Sequence, residues 1–322
     1  MPSKCDHTIH GRCHHFGWDN SLAPAERVKP GATIEFQCLD ASGGQLDADS
    51  TLADVGKLDF GKVNPVTGPI FVEGAEPGDA LKVTIEAFKP SGFGWTANIP
   101  GFGLLADQFK EPALNIWKYD AASLAPAVYG KNARVPLKPF AGTIGVAPAE
   151  AGLHSVVPPR RVGGNLDIRD LAAGTVLYLP VEVAGALFSI GDTHAAQGDG
   201  EVCGTAIESP MSVALRFDLV KGANLRMPRF TTPGPVTRHL DAAGYETTFM
   251  TAKGNRAHAL PPSYEPGYWD PPLDKVVTDE YYAALTKKVD ESNRLDNPIN
   301  LSAWFPERPY FNRPNFGHAL EA

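Results

Sequence analysis

Cysteine is scarce, with only Cys5, Cys13, Cys38 and Cys203 in 322 residues. Their spacings form neither a disulfide framework nor a paired zinc-ribbon pattern, so a reducing, cytoplasmic setting is expected. Long apolar runs are also missing. No stretch approaches the roughly 18 consecutive apolar residues of a membrane span, and residues 1–10 hold no apolar signal core, so a soluble protein without a membrane partner is expected. Lysine and arginine form no blocks and the net charge is -8, which excludes the basic footprint of a nucleic-acid binder. Helical periodicity is rare through the first 240 residues.

What the chain has instead is 32 glycines and 29 prolines, about a fifth of its residues, a composition suited to short strands joined by tight turns. The expected fold is mainly β. Residues 29–36, 76–85 and 173–179 each place a Gly-containing turn before alternating apolar residues, the pattern of a turn feeding a half-buried strand. Further strands are expected over 181–190 and 212–220. Short helical insertions are expected near 100–109 and 115–128. From Thr251 the texture changes to clustered proline and aromatic residues with one helix-like run over 278–293. This divides the chain into a site-bearing β region, 1–250, and a divergent Pro-rich C-terminal arm, 251–322, packed on the same domain or on a partner subunit.

The chemistry concentrates in residues 191–201, where Asp192, His194, Asp199 and Glu201 stand among small residues. Between Arg169 and Arg216 there is no Lys or Arg at all. Carboxylates crowded into a turn without a local counter-charge repel one another, a situation relieved by a bound cation, a raised pKa or a distant Arg. Asp192 and His194 are two apart, so on a strand they share a face and can present two ligands to one ion. Glu201 can return to that ion across the glycines at 198 and 200. A mixed carboxylate and imidazole set suits zinc, manganese or iron better than calcium, which prefers oxygen alone; zinc is the expected ion, with calcium or manganese as alternatives. The bland alternative is a polar hairpin with a satisfied histidine. A second candidate, Gly163-Gly164-Asn165-Leu166-Asp167, again places two oxygen-bearing side chains two apart. By itself that pattern is more often a turn or a cap.

Residues 163–167 and 191–208, taken with 16–20, 40–45, 64–69, 142–149 and 234–241, resemble the acetamidase/formamidase family in several motifs in order. The resemblance implies a CUB-like β-sandwich, a homo-oligomer, and hydrolysis of formamide, acetamide or a similar small linear amide to a carboxylate and ammonia. It also implies that Asn165, Asp167, Asp192, His194 and Glu201 lie near the site. Of these, Asp192, His194 and Asp167 are expected to hold the metal. Glu201 either completes the shell or carries the proton from water to nitrogen, and Asn165 hydrogen-bonds the substrate or the developing oxyanion. His14, Asp199 and Cys203 are expected beside the substrate.

Two other readings compete. One is a thiol amidohydrolase using Cys203, although a nucleophilic thiolate wants a nearby cation and three acids stand there instead. The other is a non-catalytic, metal-stabilised β-sandwich binding module. The Cys and His residues at 5–15 match no standard zinc spacing. Asp19 has either a supporting or a structural role. The Gly-aromatic segments at 92–95 and 100–105 suit a mobile lid or static packing equally.

Overall fold

A computed structural model of the chain describes residues 5–131, 133–198 and 201–233, with the backbone of Thr247–Met250 and Ala257–Leu260. Among the described residues two large sheets dominate, beside two two-stranded pairs. Eight strands form one, in the order His7–Ile9, Thr33–Cys38, Met211–Val220, Ala80–Pro90, Val176–Pro180, Arg229–Thr231, Thr247–Met250 and Ala257–Leu260. The path of the other runs Pro159–Arg160, Gly163–Asn165, Phe140–Val146, Phe188–Ala196, Ile207–Glu208, Phe93–Asn98 and Ala113–Lys118. The Val66–Val72 strand pairs with Phe188–Ala196 beside that path.

The sheets stack because their apolar faces match. In Thr33–Cys38 the buried Ile34, Phe36 and Cys38 alternate with Glu35 and Gln37. From the opposite sheet come Ile144, Phe188 and Ile190, all fully buried. Phe188 meets Phe36 edge-on at 5.6 Å and Phe217 at 4.9 Å between ring centres, so three rings lock one sheet onto the other. Each such side chain contributes about 1.5–3 kcal/mol by leaving water.

The turn-and-strand segments expected from the pattern appear as Thr33–Cys38, Ala80–Pro90 and Val176–Pro180, and residues 212–220 fall within Met211–Val220. Three expectations need correction. Residues 100–109 form turns, and 115–128 contain no helix but the strands Ala113–Lys118 and Ala127–Tyr129. A six-residue segment with four apolar residues, Ala113, Leu114, Ile116 and Trp117, fits either state, and backbone pairing with Phe93–Asn98 decides for strand. The strand expected over 181–190 begins only at Phe188. Gly185, Ala186 and Leu187 all take positive φ, which turns the chain before it can extend. Among the described residues the helical insertions are Leu52–Val55 and a 3-10 turn, Phe60–Lys62. Asp199, the 234–241 motif and the helix-like run at 278–293 lie outside the described residues.

Candidate active site

Four neighbouring strands of the second sheet assemble the site. Phe140–Val146 lies between Gly163–Asn165 and Phe188–Ala196, and Ile207–Glu208 pairs on the far side of Phe188–Ala196. The register sets Thr143 opposite both Asn165 and Gly191, and His194 opposite Glu208. Asp167 and Asp192 are thereby brought to either side of Gly142. A Cβ added to Gly142 would stand 2.7 Å from Asp167 Oδ1, 2.8 Å from Asp192 Oδ2 and 2.9 Å from His194 Cε1. The absence of a side chain at this position keeps the space between the acids open.

His194 is the hub. Asp192, His194 and Glu208 offer ligand atoms that lie within 4.8 Å of one another, and so do Asp167, His194 and Glu201. The histidine is 1% exposed, Glu208 2% and Asp192 3%. Gln197 donates its side-chain amide to the Asp167 carbonyl at 2.9 Å, which turns its Oε1 towards His194 Nδ1 at 3.0 Å. Only an N–H satisfies that oxygen, so Nδ1 carries the proton and Nε2 is the atom presented to the acids. Nε2 lies 3.2 Å from Asp192 Oδ1 and 3.2 Å from Glu208 Oε2.

Electrostatics make this arrangement costly without a cation. Burial alone would pull the His194 imidazole down, but the Glu208 and Asp192 carboxylates outweigh it and hold the ring well above its ordinary value. Burial, then the neighbouring Asp167, pushes the Glu201 carboxyl well up, and burial raises Glu208 too. Glu208 Oε1 accepts from the Ala206 N–H at 2.7 Å, while Oε2 is buried and accepts no hydrogen bond. Among the described residues no Lys or Arg lines the cavity beside these acids.

The donor set fits a metal. Ligand atoms about 2.0–2.2 Å from a tetrahedral zinc stand about 3.3–3.6 Å apart, close to the separations found around Nε2. Supporting bonds also suit a ligand set: Asp192 Oδ2 accepts from Asn64 Nδ2 at 3.3 Å and from Thr143 Oγ1 at 3.1 Å. Thr143 Oγ1 also lies 3.0 Å from Asn165 Oδ1, so its single hydrogen serves one of the two side chains at a time, and Asn165 lines the cavity. Backbone strain collects here as well. Asn64, Asp167, Asp192 and Glu201, with φ between 42° and 52°, all line the cavity in the left-handed region.

The sequence-expected residues thus divide. Asp167, Asp192, His194 and Glu201 converge, and Asn165 lines the same cavity. His14 does not line it: its Nδ1 hydrogen-bonds the Gly11 carbonyl at 2.7 Å, which turns the ring back onto its own loop. Cys203 is not a lining residue either, and its thiol donates to the Thr205 carbonyl at 3.2 Å. Among the described residues, those at 5–15 do not form a metal-capable group. Asp19 caps its own turn through the Ser21 N–H and hydroxyl. Glu208, Gln197 and Gly142 escaped the sequence reading. A usable signal for Glu208 was an acid at the end of the apolar run 205–207 in a stretch without cations.

A model of the Acetamidase/Formamidase family matches residues 3–156 and 149–256. The acetamidase of Mycolicibacterium smegmatis is 30% identical over 269 residues, covering 65% of this chain and 66% of that protein. Among solved structures, an acetamidase from Bacillus halodurans aligns with a TM-score of 0.65 at 34% identity, over 70% of this chain and 74% of its own. A gamma lactamase from Delftia acidovorans aligns at 0.66 and 26% identity, over 70% and 72%. The family match spans most of the chain and includes every strand that builds the His194 site. The chain therefore belongs to the acetamidase/formamidase family and is an amidohydrolase.

Proposed function

We propose that the protein hydrolyses the C–N bond of a linear primary amide to a carboxylate and ammonia, with a divalent cation, zinc first, held by Asp192, His194 and Glu208. The observation that carries this reading is His194, whose Nδ1 is occupied by Gln197 Oε1 so that Nε2 faces two buried carboxylate oxygens at 3.2 Å each. Glu208 takes the ligand position expected of Asp167.

A zinc ion held by Asp192, His194 and Glu208 would supply Lewis acidity and lower the pKa of a water towards neutrality. The chain's own residues do the remainder. Glu201, on the cavity wall with its carboxyl raised, is the proton carrier, taking the proton from water and delivering it to the departing nitrogen. With a cation held beside it, the Glu201 carboxyl would be lowered from that raised value, which favours its taking the proton from water. Asn165 directs its N–H₂ at the carbonyl oxygen as negative charge develops. Asp167 accepts from the amide N–H₂ and orients it.

A non-catalytic ion site is disfavoured because Asn165, Asp167 and Glu201 line the cavity in excess of three ligands. The thiol route loses support because Cys203 turns its hydrogen to Thr205. The deciding experiment is metal analysis of purified protein with an ammonia assay on formamide and acetamide, repeated on Asp192→Ala and His194→Ala. Loss of both ion and turnover supports the reading, and full activity in either variant sinks it.

A further inference from the structure

The cavity beside the acid cluster has a volume of about 570 Å³. At the density of water, about 30 Å³ per molecule, a four-heavy-atom amide such as acetamide fills on the order of 100 Å³ of it. Besides the acids, Ser42, Asn64, Asn165 and Thr205, the lining is largely apolar and includes Leu58, Phe60, Val63, Trp95, Ile99 and Phe102. A volume of this size with apolar walls is typical of sites that enclose ring-bearing ligands.

The aromatic walls are held in place. Trp95 is 2% exposed, and its indole N–H donates to the buried Asp40 at 3.0 Å. Asp40 also accepts from the Ser42 N–H at 2.8 Å. Phe60 and Phe102 come from separate loops and meet with ring centres 6.4 Å apart and a tilt of 58°. They remain 56% and 43% exposed. The Phe102 loop is docked on the turn that carries Glu201. Leu104 N–H bonds the Val202 carbonyl at 2.8 Å, and a Cβ at Gly204 would strike the Phe102 ring at 2.3 Å. Phe102 therefore contacts the segment that positions the proton carrier.

We infer that the substrate is a primary amide whose acyl group carries an aromatic ring, of the arylacetamide type, with the ring seated between Trp95, Phe60 and Phe102. This rests on the amide reading above. Because that reading makes ammonia the leaving group, the apolar space is left to the acyl side. The reaction is hydrolytic: the C–N bond of phenylacetamide breaks, the water oxygen joins the acyl carbon, and phenylacetate and ammonium leave. Formamide and acetamide reach the acids but leave the aromatic walls uncovered.

The test is kcat/KM for ammonia release from acetamide and phenylacetamide, measured on the intact protein as purified and on Phe60→Ala and Phe102→Ala. The expected result is a preference for phenylacetamide of at least about tenfold, expressed mainly in KM, and a ratio that falls severalfold in each variant. Ammonia from acetamide with equal or weaker turnover of phenylacetamide overturns this inference and leaves the amide reading standing. A preference that both variants retain overturns the seat assigned to the ring. No ammonia from either amide, with zinc supplied, overturns both readings.

Discussion

Glu208 has two oxygens in different situations, one accepting the Ala206 N–H and the other buried without a hydrogen bond beside His194 Nε2. If Oε2 is a metal ligand, Glu208→Gln keeps the shape and removes only the charge. Bound zinc should then weaken by at least about 100-fold, with turnover falling in proportion. The metal-free variant should be no less stable than the metal-free parent, because a buried carboxylate has been neutralised. Unchanged zinc content by elemental analysis would remove Glu208 from the ligand set. Gly142 makes a complementary case, since its backbone is not among those in the left-handed region and Ala is conformationally acceptable there. The added methyl would instead press on Asp167, Asp192 and His194 at 2.7 to 2.9 Å. Gly142→Ala should cost about 1–3 kcal/mol in folding and at least about 100-fold in kcat/KM. A fully active alanine variant by the ammonia assay would mean that the acids do not close around that point.

At the scale of elements, what could be read in advance was whatever one segment contains by itself. Asp192 and His194 share a strand, and their spacing of two was visible in the chain. Glu208 reaches His194 only through the antiparallel register of two strands, and Gly142 matters only because Phe140–Val146 runs between two others. Such relations leave no local periodicity. The same limit explains Ala113–Lys118, whose state is decided by its partner strand, whereas the alternation of Thr33–Cys38 announced its buried face directly. Phe188–Ala196 joins both levels: Phe188 anchors the core at one end, and Asp192 and His194 build the site further along. Phe188→Ala should therefore lower stability by about 3–5 kcal/mol in urea unfolding. A loss below about 1 kcal/mol would show that the three-ring cluster does not hold the sheets together.

Over the whole molecule, these buried groups tie stability to pH in a direction that the metal should reverse. Glu201 and Glu208 keep their protons to higher pH when folded than the unfolded chain does, so above about pH 4.3 rising pH withdraws stability until their folded values are passed. His194 acts in the same sense. Its folded value is raised, so its contribution is complete below about pH 6.5 and is lost as pH climbs through the higher folded value. His15, lowered first by burial, opposes them, gaining as pH rises through about 6.5. The lowered Asp54 and Asp59 lie outside this window, since their contribution is lost only as pH falls below about 4. Asp40, raised by its burial, acts with them, and four groups against one give a metal-free protein whose melting temperature should fall between pH 5.5 and 8. Zinc competes with protons for the same atoms, so its stabilisation should grow across that interval. Thermal unfolding of chelated and zinc-loaded protein at both ends measures the two slopes. A chelated protein more stable at pH 8 than at 5.5 would mean that the acids around His194 are not held against their charge, and the electrostatic case for a cation there would fall.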